Sequence, residues 1–211
     1  MAPCFIFIMY SGGVVLQAFL IMSFAFSVYE WYDLSKKTDN FLFYFSTGMA
    51  YMVTAYGSFY SLREFYSLNV LLIFIGMIWF SDIGAYFTGK TLGGPKLIQK
   101  ISPNKTWSGF GGALFFPAIF AVIWISVFGF HEHFAKISLL MLLPAGFAIG
   151  LAIGCVGQAG DLLVSYVKRQ AKVKDTGTLI PGHGGLLDRI DSMMLGAPVF
   201  LLLVSVLYYV I

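Results

Sequence analysis

The segment ISLLMLLPAGFAIGLAIGCVGQ, residues 137–158, decides the fold class of this protein, because it carries no charged side chain over its whole length. A helix needs about 20 predominantly apolar residues to cross the hydrocarbon core of a bilayer. The segment therefore predicts a transmembrane helix.

Five further segments have comparable length and composition. We place the full set of spans near residues 5–29, 41–62, 68–88, 107–130, 137–158 and 192–211. Of the 211 residues, 59% are hydrophobic and 11% are charged, whereas a soluble domain has about 25% charged residues. Because strand-like alternation is absent, a helical bundle is favoured over a β-barrel. We predict an all-α polytopic membrane bundle of about six transmembrane helices, forming a single domain over residues 1–211.

The basic residues lie almost entirely on one side of this predicted membrane protein. Six crossings place the connections 30–40, 89–106 and 159–191 on one side, and 63–67 and 131–136 on the other. The first side holds Lys36, Lys37, Lys90, Lys96, Lys100, Lys105, Lys168, Arg169, Lys172, Lys174 and Arg189, and the second holds Arg63 and Lys136. Cytoplasmic loops carry an excess of lysine and arginine, so the first side is predicted to be cytoplasmic.

Topology and contact with anionic lipid headgroups would explain Lys36 and Lys37 without any further function. The carboxylates require another explanation, because eight of the ten lie on the same predicted side, counting Asp82 near the end of its span. A membrane topology signal does not need acids there. The clustering indicates a chemical site.

The motif GDLLVSYVKRQAKVKD, residues 160–175, places a carboxylate near the membrane surface. As a helix it puts Asp161, Ser165, Lys168 and Lys172 on one face. A carboxylate at this depth is costly unless it is paired or holds a cation. From the residues alone, Asp161 is either the partner of a nearby lysine or the ligand of a cation.

The segment TLIPGHGGLLDRID, residues 178–191, combines glycines with two further carboxylates. Its glycines allow the backbone to turn tightly and to direct several N–H groups at an anion. Asp188 and Asp191 are three residues apart at the start of the last helix and therefore point the same way. Together with Asp161 they form a set of oxygen ligands suited to Mg²⁺.

Basic residues around these carboxylates supply the positive charge that phosphate groups need; they are Lys168, Arg169, Lys174 and Arg189. His183 could move a proton or bind phosphate, and a structural hydrogen bond is an equally open role for it. We interpret the segment as a site for a cation and phosphates.

A third segment, SDIGAYFTGKTLGGPKLIQKISPNKTWSGFGG at residues 81–112, carries a carboxylate inside an apolar span. Asp82 is a functional candidate for that reason, and the alternative is a buried partner for a lysine such as Lys90. Lys105 and Thr106 lie where a helix is predicted to begin, an arrangement that binds phosphate. His131 and His133, in the opposite connection, are interpreted as solvated surface residues.

The sequence resembles the phosphatidate cytidylyltransferases, also called CDP-diacylglycerol synthases. Their motif is S-x-apolar-K-R, four residues, K-D, a short spacer and P-x-H-G-G-x-x-D-R-apolar-D. This chain carries it without a break at Ser165, Val167, Lys168, Arg169, Lys174, Asp175, Pro181, His183, Gly184, Gly185, Asp188, Arg189, Ile190 and Asp191. The likeness runs from about Glu30 to the C-terminus, and the segment at 81–112 resembles the family's second block. The N-terminal helices are expected to be shorter than in most relatives.

The resemblance implies transfer of CMP from CTP to phosphatidate, giving CDP-diacylglycerol and pyrophosphate for phospholipid biosynthesis. It implicates Asp161 and Asp188 in metal binding, and Asp191 beside them is the third expected ligand. The expected cofactor is Mg²⁺, with a second cation left open. The expected catalytic residues are Asp161, Asp188, Lys168, Arg169 and Lys174. The expected phosphate-binding residues are Lys105, Ser165, Arg189, His183, Gly184 and Gly185, with Asp82 and Asp175 in support.

The expected partners are CTP, phosphatidate and membrane lipids, with no nucleic acid, and the relatives suggest a homodimer. The expected location is a bacterial inner membrane. Two other enzyme classes stay open at this point: a CTP-dependent lipid or polyprenol kinase, and a cytidylyltransferase for another lipid phosphate. A more remote alternative is an ion-coupled transporter using Asp82 and Asp161, which would place polar residues along several spans.

Overall fold

The computed structural model describes residues 2–129, 138–177 and 184–210, without the side chains of 2–5 and 210. This part of the chain forms seven α-helices: α1 (Ala2–Ser11), α2 (Gly13–Lys36), α3 (Phe41–Ser61), α4 (Leu68–Leu92), α5 (Trp107–Phe128), α6 (Leu139–Gln170) and α7 (Leu187–Val210). A π-helical turn, Leu62–Tyr66, precedes α4. The predicted all-α class is confirmed.

Five helices in the described part are long and apolar enough to cross a membrane: α2, α4, α5, α6 and α7. The predicted count of about six is therefore too high by this criterion. The segment at 41–62 does form a helix, α3, but its tyrosine, serine, threonine and glycine residues lower its mean hydropathy. The chain is a membrane protein on the strength of the other five.

The first predicted span, 5–29, is divided into two helices. Gly12 and Gly13 have φ angles of 61° and 50°, in the left-handed region that residues other than glycine rarely adopt. Helix α1 ends before this break, and α2 continues to Lys36, well beyond the predicted boundary.

A short antiparallel hairpin, β1 (Lys96–Ile98) and β2 (Ser102–Thr106), connects α4 to α5. The apolar patterning did not predict it, because its residues are mostly polar and belong to a connection. Helix α5 begins where the sequence predicted a helix start. The side chain of Thr106 accepts a hydrogen bond from the N–H of Gly109 at 3.1 Å and caps the helix.

The helices run antiparallel, so the connections gather at the two ends of the bundle. Helix α3 returns along α2, with hydrogen bonds from Trp31 to the carbonyl of Tyr44 at one end and from Gln17 to Tyr60 at the other. We call the end formed by residues 37–40, 93–106 and 171–177 the hairpin end. Arg169 ties α6 to the hairpin there, because its Nε donates to the carbonyl oxygen of Ile101 at 3.1 Å.

Helix α6 is longer than a bilayer core is thick. Its 32 residues extend about 48 Å, whereas the hydrocarbon core is about 30 Å thick. The last third of the helix, which carries Asp161, Ser165 and Lys168, therefore lies at the level of the lipid headgroups when the first two thirds span the core.

Glycines allow α5 and α6 to approach closely. A Cβ atom at Gly154 would overlap the carbonyl oxygen of Ala113, and one at Gly150 would overlap the backbone of Ala118. The interface therefore depends on these two positions having no side chain.

We expect Gly154→Val to destabilise the protein by about 2 kcal/mol, because overpacking a close helix interface forces the backbones apart. The measurement is the thermal unfolding midpoint in detergent. Gly111→Val is the matched control, since a Cβ at Gly111 would meet no atom within 4 Å. Equal midpoints for the two variants would contradict this account of the packing.

Candidate active site at the hairpin end

A cleft of about 500 Å³ opens between α4, the hairpin, α5 and α6. Lys105 of β2 reaches into it and forms an ion pair with Asp161 of α6, with 2.6 Å between Nζ and Oδ2. The same ammonium group donates to Oε1 of Gln158 at 2.7 Å. Ser165, one turn further along α6, donates to the other oxygen of Asp161 at 3.2 Å. Asp161 is thus held in a defined orientation by groups from two elements.

Two further carboxylates lie near Asp161. The charge of Asp82, on α4, lies close enough to interact with those of Asp161 and Lys105. The charge of Asp191, on α7, interacts with those of Asp161, Lys168 and Asp82. Three helices therefore place carboxyl groups within electrostatic range of one another. Lys90 and Asp82 form no ion pair among the described residues, and Lys90 Nζ donates to the hydroxyl of Tyr86 at 3.2 Å.

Asp188 occupies a separate, well-satisfied position at the start of α7. Its Oδ1 accepts from Lys168 Nζ at 2.7 Å. Its Oδ2 accepts from the backbone N–H of Thr176 at 2.8 Å and of Gly185 at 3.1 Å, with the Thr176 hydroxyl also at 3.1 Å. The side chains of Asp188 and Lys168 are only 9% and 11% exposed. Lys168 connects this cluster to Asp191, with which its charge also interacts.

Glu30, for which the sequence alone predicts no role, holds the same region from the other side. This residue of α2 is only 3% exposed. It accepts from the N–H of Leu186 at 2.8 Å, from the N–H of Leu187 at 2.9 Å and from the hydroxyl of Thr176 at 3.0 Å. A carboxylate here satisfies the unpaired N–H groups at the start of α7 and complements the helix dipole.

Gly185 must be a glycine because the groups packed around it leave no room for a side chain. A Cβ at this position would overlap the Thr176 hydroxyl and the Glu30 carboxylate. Its N–H, predicted to bind phosphate, donates to Asp188 instead. Gly184 has a φ of 82°, as expected for a turn that only glycine adopts readily.

The remaining predicted site residues are spread around these two clusters. Arg169 is exposed and bonded to the hairpin. Lys174 and Asp175 are also exposed and line a second cleft, next to Glu30. Arg189 is exposed on α7. His183 lies outside the described residues, as do His131 and His133.

The carboxylates fit a cation that is bound together with a substrate. Mg²⁺ is commonly held by one or two carboxylates, waters and substrate phosphates, without a complete cage of protein ligands. Within residues 2–129, 138–177 and 184–210, no three histidine, cysteine, aspartate or glutamate side chains are grouped closely enough for a complete metal site. Asp82, Asp161 and Asp191 carry the hard carboxylate oxygens that Mg²⁺ prefers, and they lie within electrostatic range of one another.

Comparison with known proteins places this chain in a family. Residues 36–207 match the model of the cytidylyltransferase family. A phosphatidate cytidylyltransferase of Rickettsia bellii (strain RML369-C) is 36% identical over 176 residues, which cover 81% of this chain and 71% of that protein. The protein of the same name from Rickettsia prowazekii (strain Madrid E) is 36% identical over 174 residues, covering 81% of this chain and 73% of that protein.

A third relative is matched over a shorter part of its length. The phosphatidate cytidylyltransferase of Brucella suis biovar 1 (strain 1330) is 39% identical over 138 residues. The match covers 64% of this chain and 46% of that protein, so this chain spans less than half of the Brucella relative. The residues around Asp161 and Asp188 that lie between Lys105 and Asp191 in the sequence are all inside the region of the family match.

Proposed function

The chain belongs to the cytidylyltransferase family, and from this premise we propose that it transfers CMP from CTP to phosphatidate. The products are CDP-diacylglycerol and pyrophosphate, and the protein is a membrane-embedded nucleotidyltransferase of phospholipid biosynthesis. The observation that carries the proposal is the cleft in which Asp161 and Lys105 form an ion pair, with Asp82 and Asp191 close by.

The position of the cleft suits the lipid substrate. Phosphatidate cannot leave the bilayer, and its phosphate lies at the headgroup level, where the last third of α6 carries Asp161 and Lys168. The water-soluble CTP reaches the same level through the open cleft. A bundle with its polar cluster at one end of the spans therefore brings the two substrates together.

The reaction is a displacement at phosphorus. An oxygen of the lipid phosphate attacks the α-phosphorus of CTP, and the bond from that phosphorus to the bridging oxygen breaks as pyrophosphate leaves. Because the attacking phosphate is already ionised, no general base is required. Catalysis then depends mainly on positioning and on neutralising the developing negative charge.

Lys105 is the residue best placed to hold a phosphate in the cleft. An ammonium group has three N–H donors, and the two described contacts, to Asp161 and Gln158, use two of them. The third is available to a substrate oxygen. Lys168 contributes positive charge between Asp188 and Asp191, and Arg169, Lys174 and Arg189 supply further charge for the phosphates.

Mg²⁺, when bound, neutralises the triphosphate and polarises its oxygens. Asp161 and Asp191, with Asp82, are the residues that would hold it. Asp188 stays a predicted ligand, although four donors already surround its oxygens. A second cation, the homodimer and the single-domain organisation over 1–211 also stay predictions.

We place the hairpin end on the cytoplasmic side of a bacterial inner membrane. The basic residues of 36–40, 89–106 and 168–189 support this orientation, since lysine and arginine are enriched in cytoplasmic loops. CTP is a cytoplasmic metabolite and a membrane-impermeant anion, so activity requires the cleft to face that side.

Membrane vesicles test the activity and the orientation together. We expect inverted vesicles, which expose the cytoplasmic face, to convert labelled CTP and phosphatidate to CDP-diacylglycerol when Mg²⁺ is present. Right-side-out vesicles should do so only after detergent is added. Vesicles carrying the Asp161→Asn variant control for enzyme of the expression host.

The two parts of the proposal fail in different ways. Activity in sealed right-side-out vesicles, equal to that in inverted ones, would contradict the orientation. An absence of product from the purified protein in detergent, with both substrates and Mg²⁺ supplied, would contradict the function.

A further inference from the structure

Gln158 has an orientation that its neighbour determines. Its Oε1 accepts from Lys105 Nζ at 2.7 Å. A lysine ammonium can only donate hydrogen bonds, so the amide atom facing it must be the oxygen. The amide therefore cannot rotate to exchange its oxygen and nitrogen without losing this bond, and Nε2 is directed away from Lys105.

The Nε2 group of Gln158 is open to the cleft. Gln158 is only 4% exposed, yet it lines the cleft beside Asp161. Among the described residues Nε2 makes no hydrogen bond. Every buried side-chain nitrogen or oxygen atom in this part of the chain has a partner, so Nε2 is not itself buried. Nε2 is consequently the accessible part of an otherwise buried side chain. The cleft presents a fixed N–H donor that has no acceptor in the described part of the protein.

We propose that this amide recognises the base of the nucleotide, by donating from Nε2 of Gln158 to N3 of cytosine. The inference rests on the proposed function, and it names the residue that selects CTP over UTP. N3 of cytosine is an acceptor, whereas N3 of uracil carries a hydrogen. A donor of fixed orientation pairs with the first and opposes the second, which a freely rotating amide would not do.

The rest of the cleft fits a nucleoside. Its volume of about 500 Å³ lies in the range of small-molecule sites, about 300–1,000 Å³. Tyr86 and Phe110 line it and provide aromatic faces on which a base can stack. Asp161 and Lys105 lie directly beside Gln158, so a base on the amide leaves the phosphates next to the charged groups.

An atomic substitution in the substrate tests the proposal on the wild-type protein. In 3-deaza-CTP a C–H group replaces N3, and the rest of the nucleotide is unchanged. We expect kcat/KM for 3-deaza-CTP to be about 30-fold lower than for CTP, as for the loss of a buried hydrogen bond that leaves the donor unpaired. Equal values for the two nucleotides would overturn the proposal.

The Gln158→Met variant shows whether Gln158 is responsible for the lower kcat/KM with 3-deaza-CTP. We expect the difference between CTP and 3-deaza-CTP to shrink to about threefold or less, because the donor is already absent. Gln170→Met, at the exposed end of the same helix, should keep the full difference. If the difference in kcat/KM between CTP and 3-deaza-CTP is undiminished in Gln158→Met, the assignment is overturned. An equal loss of kcat/KM for CTP and UTP in this variant would also overturn it, because such a loss indicates a contact with phosphate or ribose.

A second variant covers the case in which Gln158→Met does not fold. Gln158→Glu keeps an oxygen toward Lys105 and replaces the donor with an acceptor, so it should lower the ratio of kcat/KM for CTP over UTP by about tenfold or more. An unchanged ratio would overturn the proposal. Wild-type protein that forms no CDP-diacylglycerol from CTP would instead contradict the proposed function itself.

Discussion

The Asp161→Asn variant is expected to form CDP-diacylglycerol about 10³-fold more slowly than the wild-type protein. The substitution removes the negative charge of Asp161, with which Asp82 and Asp191 interact electrostatically. It also removes the charge partner of Lys105, which lies 2.6 Å from Asp161. The cation therefore loses a ligand, and Lys105 loses the carboxylate that orients it. The positions of the phosphates depend on both. The measurement is the initial rate in detergent with saturating CTP, phosphatidate and Mg²⁺.

The variant should remain folded, which separates a chemical defect from a structural one. Asparagine keeps the shape of aspartate and an oxygen that can accept from Lys105 or Ser165. Asp39→Asn, at an exposed position of the same end of the bundle, should keep the wild-type rate. An Asp161→Asn protein with full activity at saturating Mg²⁺ would remove this residue from the site.

The Glu30→Ala variant is expected to lose about 3–5 kcal/mol of folding free energy, because two backbone N–H groups are left without an acceptor at about 1–3 kcal/mol each, and the contact with the Thr176 hydroxyl is lost as well. Glu30 accepts three hydrogen bonds, two of them from the backbone at the start of α7. Without the carboxylate, the N–H groups of Leu186 and Leu187 lose their acceptor. The Thr176 hydroxyl, which has one hydrogen and lies near both Glu30 and Asp188, would turn to Asp188 alone. The measurement is the thermal unfolding midpoint in detergent.

Asp33→Ala provides the matched control one turn further along α2. Its ion pair with Lys37, 2.6 Å long, is about half exposed, and such pairs contribute about 0–1 kcal/mol. A Glu30→Ala protein with the same midpoint as Asp33→Ala would contradict the role of Glu30 as the acceptor that stabilises this region.

Much of the site could be predicted along the chain because its residues are neighbours on one helix. Asp161, Ser165 and Lys168 were expected on one face of a helix, and α6 carries them within its last three turns, with Ser165 bonded to Asp161. Lys172 was expected on the same face, but α6 ends at Gln170 and Lys172 adopts a φ of 56° outside it. Helical periodicity predicts neighbours only as far as the helix continues.

The partners of these residues come from other helices, and spacing along the chain does not predict them. From the residues alone Asp161 is either the partner of a lysine or the ligand of a cation. Its lysine partner in the structure is Lys105, which lies 56 positions earlier in the numbering. Asp188 was expected beside Asp161, yet its nearest described partners are Lys168, Thr176 and Gly185. A signal for Glu30 was present, since it directly follows the apolar span 5–29, where an acid at the membrane boundary needs a partner.

Composition alone was sufficient for the membrane class, since the free energy of burying apolar side chains in a bilayer is summed over local segments and needs no tertiary contact. The family motif likewise identified the chemistry, because its residues are contiguous in the chain. The assembly of Asp82, Lys105, Gln158 and Asp191 near Asp161 was decided by packing, through close glycine contacts between α4 and α5, between α5 and α6, and between α6 and α7. Hydrogen bonds and charge interactions act over a few ångströms in space, whatever the separation in sequence, so only the folded bundle determines which of these groups meet.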